Sequence, residues 1–60
     1  MRISSKKVMN IFNECKKILP NIDIWHAINW TLYITNGIGG QIIDFKRNKD
    51  IYKYLSELCK

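Results

Sequence analysis

Ile22-Asp23-Ile24-Trp25-His26-Ala27-Ile28-Asn29-Trp30-Thr31-Leu32-Tyr33-Ile34-Thr35 alternates without a break at a period of two. Even positions carry Ile22, Ile24, His26, Ile28, Trp30, Leu32 and Ile34; odd positions carry Asp23, Trp25, Ala27, Asn29, Thr31, Tyr33 and Thr35. Successive side chains of a strand point to opposite faces, so this pattern predicts β-structure with an apolar face on a core and a mixed face turned away from it. One straight strand of this length would span roughly 46 Å, whereas a compact chain of this size has a radius of gyration near about 10 Å. The segment therefore either bends into two strands at a turn near His26 to Asn29 or projects from the domain.

Downstream, Asn36-Gly37 supplies residues suited to a type I′ hairpin turn, with Gly39 and Gly40 offering a longer connection. A two-residue turn sets Trp30 opposite Ile43, and a four-residue connection sets Leu32 opposite Ile43 and Trp30 opposite Phe45. Both keep apolar residues facing apolar ones; an odd-length loop would reverse the faces. The second arm, Gln41 to Lys46, then points Ile43 and Phe45 inward and Ile42, Asp44 and Lys46 outward.

Helices flank the strands. Ser4 or Ser5 caps the first, which runs to about Leu19 with Val8, Phe12, Cys15 and Leu19 as its apolar stripe, widened by Met9, Ile11 and Ile18. Pro20 stops it, and Lys16 and Lys17 suit its C-terminal end. Asn48 or Asp50 caps the second, whose stripe is Ile51, Tyr54, Leu55 and Leu58. The expected fold is a single α+β domain over residues 1–60, a small two-layer arrangement in the order α-β-β-α, or α-β-β-β-α if the alternation splits, with both helices on one sheet face. The five-element order is that of double-stranded-RNA-binding-like folds, among them small mRNA-cleaving toxins whose histidine follows Gly-Ser; Trp25-His26-Ala27 lacks that context, and the likeness stops at element order.

Composition restricts function. The 60-residue chain carries 10 Lys and Arg against 5 Asp and Glu, a net charge of +5 that favours anionic encounter partners. Ile, Lys and Asn are also abundant in proteins of AT-rich genomes, which lessens the weight of the lysines. No apolar run approaches the roughly 20 residues of a membrane span. Met1 to Lys7 lacks the apolar stretch of a secretory signal, so Cys15 and Cys59 read as reduced, part-buried thiols of a cytoplasmic protein, a disulfide between the two helices being the alternative. Cys15, His26 and Cys59 stand singly, without metal-ligand spacing, and no cofactor is implied.

Nothing in the pattern builds an enzyme. His26 has no nucleophile or carboxylate at a recognisable spacing and reads as a core or strand-end histidine. Gly37-Ile38-Gly39-Gly40 joins strand to strand, unlike a phosphate loop, which runs into a helix. Glu14, Asp23, Asp44, Asp50 and Glu57 are scattered singly.

Two surfaces remain. If both helices cover the even face, Trp25, Ala27, Thr31, Tyr33 and Ile42 lie on the other side with no element to cover them, and apolar patches of that kind mark interfaces. The expected function is accordingly a non-catalytic protein-binding module that self-associates or occupies a larger host protein, in the manner of the small inhibitors made by phages and mobile elements. The alternative is nucleic-acid binding, with Lys46, Arg47, Lys49 and Lys53 on phosphates and Trp25 or Tyr33 stacking on unpaired bases.

Overall fold

In the computed structural model, which describes residues 2–35 and 39–59, the long alternation is two strands. The elements are α1 (Ser5–Ile18), β1 (Ile22–His26), β2 (Trp30–Thr35), β3 (Gly40–Phe45) and α2 (Asn48–Leu58). Ala27, Ile28 and Asn29 form the connection that folds β1 back on β2, closed by the Ala27 N–H donating to the Asn29 carbonyl at 3.2 Å. Folding back resolves the length problem, because the longest dimension of the molecule is 37 Å. Ile28, expected inward by parity, sits in that connection and is 95% exposed.

The sheet is an antiparallel meander in the order β1-β2-β3. β1 and β2 pair Ile22 with Ile34, Ile24 with Leu32 and His26 with Trp30. β2 and β3 pair Leu32 with Ile43, Trp30 with Phe45 and Thr35 with Gly40. This is the register of the four-residue connection, not of a two-residue turn; the Asn36-Gly37 turn itself lies outside the described residues. Face matching tolerated either even-length loop, so the alternation alone did not discriminate between them.

Both helices lie on the even-numbered face, α1 against β1 and α2 against β3, and pack on each other. The core is Val8, Phe12 and Cys15 from α1, Ile22 from β1, Trp30 and Leu32 from β2, and Ile51 and Leu55 from α2. Met9 and Ile18, expected to widen the α1 stripe, are exposed. Ser4 caps α1, its side chain accepting from the Lys7 N–H at 3.2 Å.

Chain direction reverses at each strand, and three strands between the helices leave α1 and α2 pointing the same way. Their starts meet through Asn48, whose Nδ2 donates to the Ile3 carbonyl at 2.9 Å. Their ends meet through a disulfide between Cys15 and Cys59, whose Cα atoms are 5.4 Å apart. The expectation of reduced thiols is thereby corrected: parallel helices bring together two cysteines 44 positions apart in sequence. In the two-strand order the helices would have run in opposite directions, with Cys59 near the start of α1. The thiol-based ground for a cytoplasmic location goes with it, since disulfides persist mainly in oxidising compartments.

Closing a loop of this length restricts the unfolded chain by about 4 kcal/mol in the chain-entropy treatment, of which engineered removals recover about 2–4 kcal/mol. Alkylation in denaturant should add nothing to the mass before reduction and modify both cysteines after it, and Cys15→Ala/Cys59→Ala should lower unfolding free energy by about 2–4 kcal/mol in urea titration.

Candidate functional site

The outer face of the sheet is laid out by the register. One cross-strand row reads Asp23, Tyr33, Ile42, and the next reads Trp25, Thr31, Asp44. Trp25 is 62% exposed, Ile42 67% and Tyr33 37%. Trp25 on β1 and Ile42 on β3 occupy opposite corners of this grid, with Tyr33 and Thr31 between them, and the two aspartates occupy the other corners. The Thr31 hydroxyl donates to Asp44 Oδ1 at 2.9 Å, and Asp23 Oδ1 accepts from the Ile24 N–H at 2.9 Å. Each carboxylate is thus anchored by one bond while remaining exposed at its edge of the sheet.

Trp25, Thr31, Tyr33 and Ile42 are therefore brought together on one surface. Ala27 is not: it lies past the end of β1, in the connection to β2. Asp23 and Asp44 belong to the same surface, as parity alone places them, although as scattered single acids they carried no functional signal.

The opposite face contrasts with it. Trp30, 2% exposed, is the largest buried side chain, and its indole N–H donates to Asn48 Oδ1 at 2.6 Å. Asn48 thus spends its amide on Trp30 and Ile3 and does not cap α2; Arg47 occupies the cap position without a side-chain hydrogen bond, and Asp50 sits within the first turn. His26 lies flat on Trp30, ring centroids 3.8 Å apart and planes 2° from parallel. Its ring is the exposed lid of a buried indole at the end of β1, not a member of the closed core.

Three basic residues converge at the end where both helices begin. Arg47 and Lys49 line a shallow hollow with Arg2, Ile3 and Asn48, about 390 Å³ in volume. Arg2, far away in sequence, joins them because α1 and α2 start side by side. Lys46 precedes this hollow at the β3–α2 junction, and Lys53 lies exposed one helical turn beyond Lys49, outside its lining.

Among the described residues no group of three or more His, Cys, Asp or Glu side chains is placed to hold a metal ion. No helix among them is long and apolar enough to cross a membrane. The chain matches no family model, no curated protein and no solved structure.

The surroundings of the two tryptophans should differ in their weight for stability. Trp25→Ala on the open face should change stability by no more than about 0.5 kcal/mol. Asn48→Ala leaves the Trp30 indole N–H and the Ile3 carbonyl without their partner and should cost about 1–3 kcal/mol, read as a lowered urea midpoint.

Proposed function

We propose that this protein is a non-catalytic binding module that engages another protein through the outer face of its sheet. The observation that carries this is the exposure of Trp25, Tyr33 and Ile42 on one surface while both helices pack on the other. Large side chains left in water on a rigid sheet forgo the burial that stabilises the rest of the domain, at about 25 cal/mol per Å² of apolar area, and recover it when a partner covers them. Trp and Tyr are the residue types most enriched among those that dominate binding energy. No reaction is assigned to His26, whose ring is stacked on Trp30. A role as an inhibitor that occupies a host protein's surface accords with a small module bearing one docking face.

Capture from the native host should retain a protein on the wild-type chain and release it with Trp25→Ala/Ile42→Asp at unchanged thermal stability. Identical retention by both would remove the sheet face from the function.

A second reading rests on the basic hollow. Arg2, Arg47 and Lys49 converge where two helix N-termini lie side by side, and cations and aligned N–H dipoles there act in the same sense on a phosphate. Under this reading a gel shift of single- or double-stranded RNA or DNA at low salt should disappear with Arg47→Glu/Lys49→Glu and weaken steeply with added salt. An unshifted nucleic acid at low salt would dismiss it.

A further inference from the structure

We infer that the occupant of the outer sheet face is a cationic amphipathic helix, seated along the Trp25–Tyr33–Ile42 diagonal with a Lys or Arg on each flank meeting Asp23 and Asp44. This rests on the docking role proposed above and adds the chemistry of the partner. The first ground is charge. The described strands contain two acidic residues, Asp23 and Asp44, both on the outer face, and no lysine or arginine. A chain of net charge +5 has therefore kept its cations off one surface and placed carboxylates there. Lys46, next in the outward alternation, lies past the end of β3 and belongs to the basic end of the molecule.

The second ground is the arrangement of those charges. The register puts the carboxylates on opposite sides of the apolar diagonal, one on each edge strand. A segment lying along that diagonal meets an aspartate on its left in one row and on its right in the next. At the usual spacings of strands and residues, Trp25 and Ile42 are separated by about 12 Å. Helix positions i and i+7 are about 10.5 Å apart along the axis, and with i+3 or i+4 between them they form one apolar stripe. The diagonal thus offers contacts for about two turns of helix.

The third ground is fit. Three strands of five or six residues present a face of about 14 by 20 Å, within which a single helix about 10–12 Å across fits. A second copy placed face to face would add the same carboxylates and no strand cation to pair with them, whereas a helix can carry its cations along both flanks.

The test uses the intact, disulfide-bonded chain and a tryptophan-free helical peptide of about fourteen residues, with leucines at i, i+4 and i+7 and lysines flanking them. A twin carries glutamate at every lysine. Binding is measured by calorimetry and by tryptophan emission, with Trp25→Ala leaving the signal of Trp30 alone as the reference, at physiological salt, where the Debye length of about 8 Å limits the pull of distant charges. The lysine peptide should bind at least tenfold more tightly than its twin, lose severalfold in affinity with Asp23→Asn/Asp44→Asn, and lose its binding with Trp25→Ala. Net charge alone would give the reverse order. Equal binding of both peptides, dependent on Trp25, would leave the docking face standing and overturn its assignment to a cationic helix. Tighter binding of the glutamate twin would overturn it also. No Trp25-dependent binding of either peptide would overturn the inference and count against the docking role itself.

Discussion

The number of strands between the two helices governs this structure. An antiparallel meander reverses the chain at each strand, so an odd number returns α2 to the direction of α1. From that one condition follow the meeting of the helix starts at Asn48 and the meeting of their ends at the Cys15–Cys59 disulfide. Asn48 then acts in two places at once, tying α2 to the segment before α1 and satisfying the indole of the largest buried side chain, and so gives up the cap that its position near the helix start suggested.

Both faces of the sheet are defined by the same parity, with opposite outcomes. Even positions of β1 and β2 deliver Ile22, Trp30 and Leu32 to a closed core, and His26 extends that face by stacking on Trp30. Odd positions deliver Trp25 and Tyr33 to water beside Asp23, while β3 contributes Ile42 and Asp44. Charge follows the faces in part: Asp23 and Asp44 lie on the open sheet, and Arg2, Arg47 and Lys49 converge at the starts of the helices. The protein thereby presents two chemically distinct surfaces despite its size.

Much of this was legible in the order of residues, because period-two and period-3.6 patterns report burial directly. The alternation yielded the strands, their inward faces and the outward placement of Trp25, Tyr33 and Ile42, and the apolar stripes yielded α1 and α2. What stayed hidden depended on contacts between distant segments. Alternation is blind to a turn that keeps its parity; the length of the segment offered a turn near His26 to Asn29 as one of two outcomes, but the exposure of Ile28 and the loss of Ala27 from the open face could not be read from the pattern. The disulfide was misread for the same reason: whether Cys15 and Cys59 meet depends on helix direction, which depends on that turn. Arg2 joined the basic hollow, and Asn48 abandoned the cap, through tertiary neighbours that local propensity does not contain.

The clasp between Cys15 and Cys59 also changes how the molecule bears tension. A pull applied to the backbone before residue 15 and after residue 59 passes from one sulfur to the other, and the sheet and α2 lie in the slack loop beside that path. Stretching can therefore extend the chain only as far as Cys15, and the strands and α2 stay outside the loaded path. Reduction would reroute the same force through every strand in turn.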